Sequence, residues 1–82
     1  MEIHFVRAAQ KEFDALPKDI QIRLAPKIGQ LAQGMTSQCK KLSGQPNRYR
    51  LRMGDYRVIF DVQNEKLIIL VLRIAHRREA YR

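Results

Sequence analysis

The sequence predicts an α+β fold: one small, mainly antiparallel sheet in the element order β-α-α-β-β-β, with two N-terminal helices packed on one of its faces. Three observations carry this. Apolar residues recur at helical spacing only between Arg7 and Gln33, arginine and apolar residues alternate strictly from Arg48 to Met53, and Leu67 to Leu72 is apolar at every position. Strict alternation is the mark of a half-buried strand, and a short unbroken apolar run that of a strand inside a sheet. A chain of 82 residues makes one such domain, spanning 1–82.

Glu2–Val6 reads as a short first strand, with Ile3 and Phe5 on one face. Arg7–Leu16 is rich in helix formers and puts Ala9, Phe13 and Leu16 on one stripe. Pro17 ends this helix and is tolerated in the first turn of the next. From Lys18 to Gln33 the set Ile20, Leu24, Ile28 and Leu31 recurs at helical spacing. Pro26 interrupts it at a cost of about 3 kcal/mol, so this second helix is expected to kink or to divide there. Gly34 suits the stop. Met35–Asn47 is polar, carries Gly44 and Pro46, and reads as a loop in which Lys40 and Lys41 border the basic face and Cys39 is a bystander thiol.

The hairpin that follows organises the rest. A period of two places Arg48, Arg50 and Arg52 on one face and Tyr49, Leu51 and Met53 on the other. Gly54-Asp55 fits a two-residue II′ turn, with Gly54 at the position that demands positive φ. The register is then Met53 opposite Tyr56, Arg52 opposite Arg57, Leu51 opposite Val58 and Arg50 opposite Ile59. Two arginines thus face each other, which costs a few tenths to about 1 kcal/mol. Only Asp61 offsets four arginines on this face, and guanidinium groups match phosphate oxygens bidentately. A polyanion site is the expectation.

Leu67–Ile74 reads as a strand buried on both faces and interior to the sheet. If Val62 pairs with Leu67, however, Arg57 falls opposite Leu72 and Arg73 points to the helix-covered face. A bulge, or a shifted turn at Gln63–Lys66, must intervene.

The charge is +8 and unevenly placed: residues 1–39 hold five basic and four acidic side chains, residues 40–82 eleven and four. Such a footprint points to nucleic acid or another polyanion rather than to a membrane surface. No apolar run is long enough to span a bilayer, and no secretory h-region opens the chain, so a cytoplasmic protein is expected. One cysteine cannot form an internal disulfide, and no His/Cys cluster has zinc spacing; no metal and no cofactor are expected. There is no paired-carboxylate site, no phosphate-binding glycine loop and no Ser/His/Asp set. In the basic half arginines remain, with one histidine and a few tyrosines. Cleavage of RNA by 2′-hydroxyl attack needs a base, an acid and positive charge at the phosphorane. Arginine serves the last role, and of these residues only His76 has the intrinsic pKa for proton transfer near neutrality, His4 on the first strand being assigned no role. Tyr81 suits stacking on an unpaired base.

Leu16-Pro17, Lys41-Leu42 with Gly44 and Pro46, Tyr49-Arg50-Leu51-Arg52, Gly54-Asp55-Tyr56-Arg57-Val58-Ile59-Phe60 and His76-Arg77-Arg78-Glu79-Ala80-Tyr81 together resemble a RelE-type toxin of the RelE/ParE superfamily over nearly the whole chain. The resemblance implies a toxin of a type II toxin-antitoxin system that enters the ribosomal A site, cuts mRNA there, and is held inactive by a RelB-like antitoxin wrapped around it. By that resemblance Arg50 and Arg52 take positions of basic residues that are often lysines. Arg57 steadies the scissile phosphate, Arg77 is an acid or phosphate clamp, and Tyr81 stacks on an mRNA base. Arginine at 50 and 52 departs from a lysine base and turns attention to His76 or to the substrate's surroundings. Lys40, Lys41, Arg48 and Arg78 complete the expected RNA- and ribosome-binding set. Two other readings stand beside it: a ParE-like inhibitor of DNA gyrase, which typically lacks the tyrosine-bearing ending seen here, and an RNA-binding module that does not cleave.

Overall fold

The computed structural model describes residues 1–77. Its five-stranded sheet runs in the order β1-β5-β4-β3-β2, with β1 Glu2–Phe5, β2 Cys39–Lys41, β3 Arg48–Met53, β4 Tyr56–Gln63 and β5 Ile68–His76. Helices α1 (Arg7–Asp14) and α2 (Lys18–Gln30) come between β1 and β2, and α2 tightens into a single 3₁₀ turn over Leu31–Gln33. All strand pairs are antiparallel except β1 with β5, which is parallel. α2 runs through Pro26 without a break, so the helix does not divide there. The preceding turn is open to solvent, with Ile22 66% exposed, and water can serve the carbonyl that the proline leaves without a donor.

The alternating residues of β3 and β4 put Leu51, Met53, Val58, Phe60 and Val62 on one face, where they meet Ile69, Val71 and Ile74 of β5. Ala9, Leu24, Ile28 and Leu31 close this core from the helical side, with Phe13, Leu16 and Ile20 packed at its margin. Phe60 is fully buried and stacks on Tyr49 at 5.8 Å, and Phe5 meets Phe13 edge-on at 6.1 Å. One layer of helices therefore covers one face of the sheet. The arginines of β3 lie on the other.

Two elements depart from the sequence-based expectation. The stretch read as a loop contains β2: Cys39 pairs with Leu51, Lys40 with Arg50 and Lys41 with Tyr49. Three polar residues have no apolar period to announce a strand, and only the free edge of β3 makes them one. Cys39 is in consequence half-buried against the core rather than in a polar loop. In β5, Val62 pairs with Ile69 and not with Leu67, because a 3₁₀ turn over Asn64–Lys66 and Leu67 at φ 55° lengthen the connection. Leu72 is then an extra residue, since Phe60 faces Val71 while Ile59 faces Arg73. β5 is interior to the sheet but not buried on both faces, for Ile68, Leu70 and Leu72 are only half-buried.

Beyond Val71, β1 no longer covers the edge of β5. α1 takes over: Glu12 accepts the backbone N–H of Ile74 at 2.8 Å and lies 3.5 Å from the guanidinium of Arg73. Arg73 thus reaches helix α1 although its register places it opposite Ile59. Glu12→Ala leaves the N–H of a buried strand residue without its acceptor and is expected to cost about 1–3 kcal/mol. Urea denaturation would show it as a lowered midpoint with an unchanged slope.

Candidate nucleic-acid interface

Gly54 sits at φ 56° and Asp55 on the negative side, as a II′ turn requires, and the β3–β4 register is the one the two-residue loop predicts. Arg52 faces Arg57, Arg50 faces Ile59, and β2 adds Lys40 beside Arg50. Because the helices cover the opposite side, Lys40, Arg48, Arg50, Arg52 and Arg57 share the open face.

These cations are not equivalent. Arg48 is held bidentately by Asp61 across the strands, Nε to Oδ1 at 2.8 Å and Nη2 to Oδ2 at 3.1 Å. Hydrogen bonding to that carboxylate raises the Arg48 pKa above its ordinary value against the opposing pull of desolvation, so Arg48 stays charged and paired. Arg57, which parity alone would leave open to solvent, is 5% exposed. Its Nη1 donates to the carbonyls of Gly54 at 2.9 Å and Tyr56 at 3.1 Å, tying the side chain to its own turn. Its Nε is buried and finds no acceptor among the described residues. Arg50 is half-buried, whereas Arg52 is exposed and nothing among the described residues pairs with it.

The facing arginines repel each other, and an anion bound between them removes that cost. Of this pair it is the exposed Arg52 guanidinium that an anion could reach directly, and its planar fork matches phosphate oxygens. Among the described residues no group of three or more His, Cys, Asp or Glu side chains is placed to hold a metal. Among the described residues no helix is long and apolar enough to cross a membrane.

A model of the family described as ParE toxin of type II toxin-antitoxin system, parDE, matches residues 3–81. The chain belongs to that family. A curated relative, the mRNA interferase toxin RelE of Escherichia coli K12, is 26% identical over 80 residues, covering 95% of this chain and 84% of the relative. Among solved structures, a chain of the intact E. coli RelBE toxin-antitoxin complex superposes with a TM-score of 0.81 at 23% identity, covering 92% of this chain and 94% of that one. The RelB-RelE antitoxin-toxin complex of Methanococcus jannaschii gives a TM-score of 0.80 at 25% identity, with 95% and 94% covered.

In this ParE-family toxin the remaining sequence-predicted residues divide. Arg77 is brought to the turn end of the arginine face: its backbone N–H donates to the carbonyl of Asp55, beside Arg52 and Arg57. Lys41 is opposite Tyr49 and alternates away, so of the two lysines only Lys40 joins the arginine face. His76 is opposite Tyr56, on the helix side of the sheet, where it lines a cleft with Glu12, Ala15 and Leu16. The fold does not bring it together with Arg50, Arg52 and Arg57. Arg78 and Tyr81 lie outside the described residues. Sequence reading missed Tyr56 as the partner of His76; the hairpin register locates Tyr56, but the pairing with β5 depends on where the bulge falls.

Proposed function

We propose that this toxin is an endoribonuclease that cuts mRNA in the ribosomal A site, stops translation, and is neutralised by a RelB-like antitoxin. The observation that carries this reading is Arg52 facing Arg57 on an open sheet face, with Arg50 and Lys40 alongside. The RelE name of its curated relatives supports the same chemistry. The substrate 2′-hydroxyl gives up its proton as its oxygen bonds to phosphorus. The bond from phosphorus to the 5′-oxygen breaks and that oxygen takes a proton from water, and Arg50, Arg52 and Arg57 stabilise the charge that builds on the non-bridging oxygens. Arg77 enters from the turn end as the clamp on the leaving side, and Tyr81 supplies the stacking surface for a base.

The Asp61 carboxylate on this face is held bidentately by Arg48, and Lys40, Arg48, Arg50, Arg52 and Arg57 offer donors and no acceptor, so none of them serves as a general base. With His76 on the other face, the proton acceptor comes from the ribosome–mRNA surroundings, which also hold the substrate in line. The step needs no metal in this scheme, since guanidinium groups supply the positive charge. Lys40, Arg48 and Arg78 contribute to the electrostatic hold on RNA, Arg48 in its paired form. A toxin acting on ribosomes would work in the cytoplasm.

The test is primer extension on an mRNA programmed into purified ribosomes, with wild type and Arg52→Ala side by side. A new stop within the A-site codon that disappears in the variant supports the reading. Two observations favour rivals. The family description as ParE favours inhibition of DNA gyrase, which would appear as lost supercoiling without any ribosome binding. The absence of a base from the arginine set favours an RNA-binding module, which would bind programmed ribosomes and leave the mRNA whole.

A further inference from the structure

We propose that the Tyr56–His76 ring pair is a positioning element that holds Arg57 and Arg77 at the turn end of the arginine face. The inference rests on the proposed cleavage reaction for its activity readout, though not for its structural one. Tyr56 and His76 are register partners on β4 and β5, and their rings meet edge to face, 5.3 Å between centroids and 85° between planes. Each immediately precedes one of the two arginines. The Tyr56 carbonyl accepts a hydrogen bond from the Arg57 guanidinium, and the carbonyl of Asp55, one residue earlier, accepts the N–H of Arg77. Both arginines are therefore referenced to the peptide groups on either side of one tyrosine.

Strand alternation puts the Tyr56 ring on the helix side and Arg57 on the open side. There the rings border an open cleft of about 290 Å³ beside Glu12, Ala15 and Leu16, so this end of the sheet lacks the dense packing that fixes Val58 and Phe60. An edge-to-face contact between strand partners supplies the restraint instead. His76 then acts through its ring and not through a proton.

The test pairs two variants of each residue. His76→Val and Tyr56→Val remove a ring while keeping strand propensity; His76→Phe and Tyr56→Phe keep the ring and remove titration or the hydroxyl. Single-turnover cleavage, ribosome affinity and hydrogen exchange at the Arg77 amide are measured on each full chain. The valine variants are expected to slow cleavage by about tenfold or more at unchanged ribosome affinity, as misplacing a catalytic group does. They should also speed exchange at the Arg77 amide. The phenylalanine variants should stay near wild type in both. Wild-type rates in the valine variants would overturn the proposal. So would a His76→Phe variant that is as slow as His76→Val with a protected Arg77 amide, because that result makes the imidazole a proton carrier. If wild type itself cuts nothing, the cleavage reading has failed, and the amide exchange alone decides: faster in the valine variants supports the restraint, and unchanged refutes it.

Discussion

Replacing Arg52 with alanine is expected to lower mRNA cleavage about 10²–10³-fold, the usual cost of losing one preorganised charge-stabilising donor. The same change should leave the protein as stable as wild type or slightly more so. Arg52 is exposed and opposes Arg57 directly, so its removal lifts a like-charge contact of a few tenths to about 1 kcal/mol. Loss of function with no loss of stability is the signature of a residue kept for a ligand. Single-turnover cleavage on programmed ribosomes, set beside a urea denaturation curve, measures both. An Arg52→Ala protein that cuts normally would remove this arginine from the site, and one that unfolds would show that the facing arginines are held by something other than repulsion and solvent.

Arg57→Ala is expected to fail in both assays. Its guanidinium closes on the carbonyls of Gly54 and Tyr56 from a site that is 5% exposed, so truncation unties the turn and opens a gap behind it. Loss of two such bonds, partly offset by release of a buried charge, is expected to cost about 1–2 kcal/mol. Cleavage should fall by about 10²-fold or more even well below the denaturation midpoint, since the Arg57 charge is also proposed to act on the scissile phosphate. Arg57→Lys separates the two roles. It keeps the charge but loses the planar guanidinium that bonds the carbonyls of Gly54 and Tyr56, so cleavage is expected to recover only in part. An Arg57→Ala variant as stable as wild type would mean that the turn holds itself.

Much of the site could be read in the chain because its spacing is local. The alternation Arg48 to Met53 and the two-residue turn at Gly54-Asp55 determine, without any distant partner, that Arg50, Arg52 and Arg57 share a face and that Arg52 meets Arg57. The same holds for the two helices, whose apolar stripes are short-range periodicities. The chain did not tell which arginine would be neutralised: Arg48 takes Asp61, thirteen residues away, because cross-strand pairing sets them side by side. Nor did it tell that Glu12, in a helix, would satisfy a strand edge sixty-two residues later.

By itself, then, the sequence determined the fold class, the helical layer, the hairpin register and the face that carries the cations. Tertiary structure alone decided that Cys39–Lys41 is a strand, that Arg57 turns back onto its own turn, and that His76 faces the helices. The physical reason is the same in the first and last cases. Pairing between distant segments is settled by packing, and one extra residue such as Leu72 transfers every side chain beyond it to the opposite face of the sheet.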